Sequence, residues 1–249
     1  MEKRTVLITG AAGGIGSAIA QRLAQEGYAI ALNYCHSKEA AELLRDELKK
    51  SYGISCEAFQ ADVSREDETD AMIQKIEETL GPVDILINNA AIDLPNLFSL
   101  KTADEFRRVL DVNVVGAYNC AKRVSRGMIE REYGRIVNIA STNGINTYYP
   151  MCFDYDASKA ALISLTHNLA VQLSPYVTVN AVAPGFIGTE KELEGYDEEF
   201  LKSETEKILL KRYGKPDEVA SLVKFLIGEE GSYINNSVIR IDGGQMGSV

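Results

Sequence analysis

The stretch "TVLITGAAGGIGSAIAQRLAQEGYAIALNY" (5–34) decides the fold. It opens with a short β-branched and apolar run that a glycine ends. "IGSAIAQRLAQEG" (15–27) follows, with apolar residues at helical spacing and a closing glycine, and "YAIALNY" (28–34) is again strand-like. Strand, tight turn, helix and strand over about thirty residues make a parallel βαβ unit.

The alternation continues to the far end of the chain. "KEAAELLRDELKKSYG" (38–53) and "ISCEAFQAD" (54–62) give a helix and a strand, as do "REDETDAMIQKIEETLG" (65–81) and "VDILINNA" (83–90). A long helical tract over about 102–131 precedes "GRIVNIAS" (134–141); a helix carrying "FDYDASKAALISL" (153–165) precedes "VTVNAVAPG" (177–185). "PDEVASLVKFLIG" (216–228) and "SVIRIDGG" (237–244) complete the series. Alternating strands and helices predict the α/β class, with a doubly wound parallel sheet of about seven strands and helices on both faces. With no composition break, linker or repeat, residues 1–249 are expected to form one domain. The stretch 186–200 is predicted to be irregular and to belong to a substrate lid over about 186–212, since long loops in compact domains are usually binding loops.

A formal net charge of −10 disfavours nucleic acid or an anionic membrane as partner. Cys35, Cys56, Cys120 and Cys152 form no C-x-x-C pair, and the only histidines are His36 and His167, so reduced thiols and no metal site are expected. The first twenty residues carry a basic and fairly apolar pattern that a secretory leader would also show, but their glycines suit the βα turn instead. No apolar run reaches the ~20 residues that cross a bilayer. The expected location is the cytoplasm.

Gly10, Gly14 and Gly16 stand where the first strand becomes the first helix. Glycines there let the backbone approach a pyrophosphate, while the helix N-terminus supplies N–H groups and positive dipole. A glycine-rich turn is common in any tight βα connection; the strand–turn–helix setting favours a dinucleotide site here over a plain tight turn. At the end of strand two, an acid would bond a ribose 2′-hydroxyl and repel a 2′-phosphate. None occurs from Asn33 to Lys38; Asn33, His36, Ser37 and Lys38 can instead donate to phosphate, although Ser37 also suits a helix cap. NADP(H) is therefore expected over NAD(H). Asp62, ending strand three, can meet an adenine amino group, or it or Ser64 can cap the next helix. Asn88 and Asn89 end strand four and need partners if buried, either in neighbouring strands or in the cofactor.

Tyr155 and Lys159 are four apart on one helix, so their side chains share a face. A phenol must move by about 3 pKa units, roughly 4 kcal/mol, to exchange protons near neutral pH. A lysine cation about 4 Å away supplies roughly that at an effective dielectric near 20, whereas burial alone pushes the phenol the other way. The pair is expected to be a tuned acid.

With "TGAAGGIG", "NNAA", "IAS", "YDASK", "APGFIGT" (183–189) and "IDGG" in this order, the chain resembles the short-chain dehydrogenase/reductase family over essentially its whole length. The resemblance implies a Rossmann-type sheet, a nicotinamide cofactor, hydride transfer to or from a carbonyl or secondary alcohol, and a homotetramer. It implies that Tyr155 is the acid/base, Lys159 its partner and ribose contact, Ser141 the holder of the substrate oxygen, and Asn113 part of a proton relay. It makes Gly10, Gly14, Ile15 and Gly16 the phosphate turn, and Asp62, Val63, Asn89, Ala90 and Ala91 the adenosine side. Pro184, Gly185, Ile187 and Thr189 fall beside the nicotinamide.

Some places depart from the family pattern. Ala91 replaces a usual glycine, and Gly13 stands where many NADPH-dependent relatives have a basic residue, which weighs against NADP(H). Ser141 lies one residue further from Tyr155 than expected, so either the loop between them is longer or Thr142 takes its role; the alignment of "IAS" with the strand end favours the former. Tyr148, Tyr149, Met151 and Phe153 either line an apolar pocket or pack elsewhere.

Within the family the look is closest to the 3-oxoacyl-acyl-carrier-protein reductases of fatty acid synthesis. Arg131 and Arg135 offer a docking place for an acidic carrier, but the net charge and the acid-rich stretch after Pro184 oppose it, so a small carbonyl or alcohol is the expected substrate. A dinucleotide-binding redox sensor without turnover is the reading from another class. Such relatives usually lose the tyrosine or the lysine, and both are here.

Overall fold

The computed structural model describes residues 4–246. Seven strands form one sheet: β1 (Thr5–Ile8), β2 (Ala29–Tyr34), β3 (Cys56–Gln60), β4 (Val83–Asn88), β5 (Gly134–Ile139), β6 (Val177–Pro184) and β7 (Val238–Ile241). Their order is β3-β2-β1-β4-β5-β6-β7, and every pairing is parallel. The helices are α1 (Gly14–Gln25), α2 (Lys38–Tyr52), α3 (Glu66–Leu80), α4 (Ala103–Leu110), α5 (Gly116–Glu130), α6 (Phe153–Leu173), α7 (Glu190–Gly195), α8 (Glu198–Lys207) and α9 (Pro216–Ile227).

The inner strands are buried on both faces, and their alternate residues feed two cores. Val6, Ile8, Ile30, Leu32, Ile85 and Ile87 pack with Ile19 and Leu23 of α1 and Val219 and Val223 of α9. Leu7, Ala31, Leu86 and Ile136, one residue out of phase, pack with Ile73 and Ile76 of α3 and Val124 and Met128 of α5. The chain leaves β1 toward β2 on one side and returns through β4 on the other. The carboxyl ends of β1 and β4 therefore flank a crevice, the place where open α/β sheets bind ligands.

Two segments differ from the sequence expectation. The tract 102–131 is divided by a π-helical turn, Asp111–Val115, which joins α4 to α5. The stretch 186–200, expected to be irregular, holds α7 and the start of α8. Thr189 accepts from the Glu192 N–H and Asp197 from the Phe200 N–H, two N-caps that start these short acidic helices.

The tract carrying Arg131 and Arg135 lies at the amino end of β5, roughly 20 Å by strand rise from the end that carries Ser141. Arg135 is buried and its guanidinium stacks on the Tyr133 ring; Arg131 donates to the Val83 carbonyl and pairs with Asp84. Arg135 is thus committed inside the fold, whereas Arg131 remains exposed, at the end of β5 opposite Ser141.

Candidate active site

The turn after β1 is shaped by contacts that exclude side chains. Gly10 and Gly14 adopt φ +60° and +55°, the left-handed region that favours glycine. A Cβ on Gly16 would stand 2.6 Å from the Gly10 carbonyl oxygen and 2.7 Å from Asn89 Nδ2. Gly13, the N-cap of α1, faces open space, and no acid occupies the first turn of that helix. The result is an uncapped helix N-terminus behind a bare backbone turn, which suits a phosphate.

Asn33 is placed differently from the expectation of a phosphate donor. It is buried, accepts from the Gly10 N–H at 3.2 Å and donates to the Ala61 carbonyl at 3.1 Å, so it braces the glycine turn from below. His36, Ser37 and Lys38 remain exposed beyond it. Ser37 holds the N-cap position of α2 but makes no side-chain cap, which leaves its hydroxyl open. Asp62 and Ser64 do not cap α3, whose N-cap is Arg65. Asp62 accepts from the Ser64 N–H and hydroxyl and pairs with Arg108 at 2.8 Å. Val63 is packed under Gly116, and its carbonyl accepts from Thr69 and Asn119, so its backbone N–H is the group it has to offer.

Asn88 and Asn89 both prove to be bridges. Asn88 donates to Asn138 Oδ1 at 2.8 Å between β4 and β5, and Asn138 passes the chain of bonds to Thr166. Asn89 donates to the carbonyls of Thr9 and Gly10 and holds the glycine turn to β4. Ala90 packs against Gly10, leaving no room for a Cβ there.

Asn113 sits in the π turn, a distortion that often marks functional sites. Its side chain accepts from the Ile92 N–H at 2.8 Å and donates to the Ile92 carbonyl at 3.0 Å and to Ser158 Oγ at 2.9 Å. One buried amide thus fixes the loop after β4 to the third turn-position beyond Tyr155 in α6.

Ser141, Tyr155 and Lys159 meet at the carboxyl end of β5. Ser141 Oγ accepts the Asn143 N–H at 3.2 Å and donates to Asn143 Oδ1 at 3.3 Å. Lys159 Nζ donates to the Ile139 carbonyl at 2.7 Å and lies 5.3 Å from the centre of the Tyr155 ring. Burial pushes Tyr155 above the usual phenol range, Asp93 adds to that, and the Ser141 hydroxyl opposes it. Burial brings Lys159 down to about 8. The expected downward tuning of Tyr155 is not what this arrangement gives: burial leads, Asp93 adds to it, and the phenol is pushed up.

The loop after Ser141 folds around Thr142, which is buried and whose carbonyl collects the N–H groups of Ile145, Asn146 and Thr147. Asp156 staples this loop by accepting from Asn143 Nδ2 at 2.6 Å and the Tyr149 N–H at 3.3 Å. Beneath Tyr155, Asp154 forms a fully buried ion pair with Lys101 at 2.6 Å.

A cavity of about 320 Å³ opens over this group. Of the predicted residues it brings together Ile15, Asn89, Ala91, Ser141, Tyr155, Lys159, Pro184, Gly185, Ile187 and Thr189. Gly10, Gly14, Gly16, Asn33, His36, Ser37, Asp62, Val63 and Ala90 lie outside it, toward the glycine turn and β2–β3, and Asn113 lies behind it. Of the four loop residues considered, only Tyr149 lines it; Tyr148 and Met151 are exposed, and Phe153 packs on Phe98 and Phe106. Asp93, Asn143, Cys152, Phe186, Tyr196 and Phe200 line it without having been singled out. Only the position of Asp93 directly after "NNAAI" could have flagged one of them. No group of metal-binding side chains occurs among the described residues.

A family model described as enoyl-(acyl carrier protein) reductase matches residues 10–246. A 3-oxoacyl-acyl-carrier-protein reductase from Staphylococcus epidermidis is 38% identical over 242 residues, 97% of this chain and 98% of its own. The crystal structure of a 3-oxoacyl-acyl-carrier-protein reductase with bound NAD from Brucella melitensis superposes with a TM-score of 0.86 at 33% identity, covering 98% of this chain and 92% of that one. That of acetoin dehydrogenase from Salmonella typhimurium gives 0.87 at 33% identity, covering 97% and 96%.

Proposed function

The chain belongs to the short-chain dehydrogenase/reductase family, and we propose that Tyr155 is the acid/base of its reaction, with Ser141, Lys159 and Asn113 in support. The protein is an NAD(P)(H)-dependent oxidoreductase of the carbonyl/secondary alcohol class. The observation that carries the proposal is the convergence of the Ser141 and Tyr155 hydroxyls and Lys159 on one cavity.

The nicotinamide cofactor fits the residues present, because Gly10 and Gly16 have no space for a Cβ and the turn leaves the N-terminus of α1 uncapped. Gly10, Gly14, Ile15 and Gly16 would hold its phosphates, Asp62, Val63 and Asn89–Ala91 its adenosine end, and Pro184, Gly185, Ile187 and Thr189 its other end. When bound, it supplies or accepts the hydride. In reduction, a carbonyl oxygen between Ser141 and Tyr155 receives a hydrogen bond from Ser141 and a proton from Tyr155. The buried Lys159 ammonium steadies the phenolate that Tyr155 becomes. Asn113 fixes Ile92 against α6 and so keeps the cavity wall in register with Tyr155.

NADP(H) is proposed over NAD(H), on the exposed His36, Ser37 and Lys38 and the absence of an acid from 33 to 38. Residues 186–212, which carry α7 and α8 beside the cavity, are proposed as the substrate lid of a one-domain enzyme. A homotetramer is proposed from the family, with exposed Tyr118, Ile129 and Val171 available for contacts between copies. The four cysteines are free, as a cytoplasmic setting would keep them, and no helix among the described residues is long and apolar enough to cross a membrane.

Reduction of a 3-oxoacyl group on acyl carrier protein is the second reading, favoured by the Staphylococcus relative and opposed by the net charge of −10 and the burial of Arg135. Relatives at similar identity include an acetoin dehydrogenase, so identity alone does not choose the substrate. Titration with NADPH and NADH, followed by diacetyl and a β-ketoacyl thioester on carrier protein and on a small carrier mimic, tests both. Tighter NADPH binding with diacetyl turnover supports the proposal. Strong preference for the protein-linked thioester supports the second reading, and no turnover of any carbonyl supports a sensor.

A further inference from the structure

The cavity is one-sided in charge. Its lining carries Asp93 and Glu192, and the only cation among its described residues is Lys159, whose ammonium is held by the Ile139 carbonyl. Among the described residues no arginine and no second lysine lines it. A carboxylate or phosphate on the substrate would have no cationic partner there and would face Asp93.

Asp93 is rigidly presented. It follows Ile92, whose N–H and carbonyl are both clamped by Asn113. The Asp93 carboxylate lines the cavity and accepts the Cys152 thiol at 3.3 Å, a weak donor. An ionised carboxylate can accept about four hydrogen bonds, so it has capacity to spare. Of the other polar groups nearby, Asn143 is spent on Ser141 and Asp156 and the Tyr149 hydroxyl donates to Glu204 at 2.6 Å, whereas Gln245 Oε1, also in the lining, is buried without a hydrogen-bond partner among the described residues. Across from Asp93, Phe186, Tyr196 and Phe200 form an aromatic wall, with Tyr196 and Phe200 stacked at 4.4 Å.

We propose that Asp93 is a specificity-determining residue, accepting a hydrogen bond from a hydroxyl carried close to the reacting carbon of the substrate. The substrate class is then a neutral hydroxylated carbonyl compound or polyol. A hydroxyl suits this cavity better than an ammonium, because the Lys159 ammonium already occupies its reacting end. An alkyl chain would leave the Asp93 carboxylate facing apolar carbon, and an anion would add repulsion. This inference rests on the oxidoreductase reading above and narrows its substrate.

Hydroxyacetone, acetone, aminoacetone and pyruvate test it, being close in size and differing at one group. Each is assayed with NADPH against the wild type, Asp93→Ala and Asp93→Asn, all checked for folding by thermal unfolding. The wild type is expected to prefer hydroxyacetone over each of the other three. The hydroxyacetone-to-acetone ratio of kcat/KM should fall by about tenfold or more in Asp93→Ala, the loss of one hydrogen bond to a charged group. It should fall less in Asp93→Asn, which keeps an acceptor oxygen, and pyruvate should gain in both. A purely structural Asp93 would lower all four alike and leave the ratio unchanged, which overturns the inference while the oxidoreductase reading stands. Preference for aminoacetone overturns it also. Turnover of no carbonyl, diacetyl included, defeats the underlying reading and the inference with it.

Discussion

The Lys159 ammonium stands 5.3 Å from the centre of the Tyr155 ring while donating to the Ile139 carbonyl at 2.7 Å. At an effective dielectric near 20, such a cation is worth roughly 3 kcal/mol to a phenolate at that range. Lys159 loses its charge near pH 8, whereas Tyr155 stays protonated well above neutrality. The expected kcat for ketone reduction is level below pH 8 and falls as the lysine deprotonates. Lys159→Met should lower the rate by about two orders of magnitude and erase that limb. A pH profile of both proteins checks this; a wild-type rate that stays level well above pH 8 contradicts it.

The same lysine affects stability. Its folded-state pKa lies below the ordinary lysine value, so carrying the charge costs the folded state at every pH below about 8. That cost is relieved as pH rises from about 8 toward the unfolded value near 10.4. Lys159→Met should remove it. Urea unfolding at pH 7 should show the variant at least as stable as the wild type, and its advantage should shrink at higher pH.

Lys101 and Asp154 are both buried, and Asp154 also accepts the Tyr155 N–H at 3.0 Å. Lys101→Met strands a buried carboxylate and should cost about 3–5 kcal/mol, while replacing both residues by apolar ones should restore most of it. Denaturant midpoints of the single and double variants measure this directly.

Gly16→Ala and Gly13→Ala separate the cradle from its surroundings. A methyl at Gly16 meets the Gly10 carbonyl at 2.6 Å, whereas one at Gly13 meets nothing within 4 Å. Gly16→Ala should weaken NADPH binding at least about tenfold by displacing the turn that approaches the pyrophosphate. Gly13→Ala should leave the protein as stable as the wild type. Fluorescence titration and thermal unfolding read the two effects.

Lys38 and the uncapped Ser37 are both exposed at the end of β2. Ser37→Asp places a carboxylate where a 2′-phosphate would lie, and should shift the NADPH-to-NADH affinity ratio toward NADH by about tenfold or more. An unchanged ratio would move the discriminating site elsewhere.

The fold was legible because its signals are local. Each strand is a short apolar run that a glycine or polar cluster ends, and the strand–helix alternation then leaves one chirality and one type of sheet. The Tyr155–Lys159 spacing and the glycine turn were legible for the same reason. What stayed hidden depends on tertiary neighbours. Asn33 reads as a phosphate donor until the fold shows its side chain spent on Gly10 and Ala61. The acids after Pro184 read as loop, since Thr189 and Asp197 act as caps only once the backbone turns there. Arg135 reads as surface charge because a parallel strand buried on both faces rarely holds an arginine. Desolvation of Tyr155, which sets the direction of its pKa, follows from packing that no i,i+4 spacing encodes.

The most direct test of the central claim compares wild type with Tyr155→Phe, by loss of reduced-nicotinamide absorbance when diacetyl is added to NADPH-loaded protein. The Phe variant removes only the phenol oxygen and its proton. The account predicts steady oxidation by the wild type and a rate lower by roughly a hundred- to ten-thousand-fold in Tyr155→Phe, with NADPH still bound. A Tyr155→Phe rate within a few-fold of the wild type would contradict it.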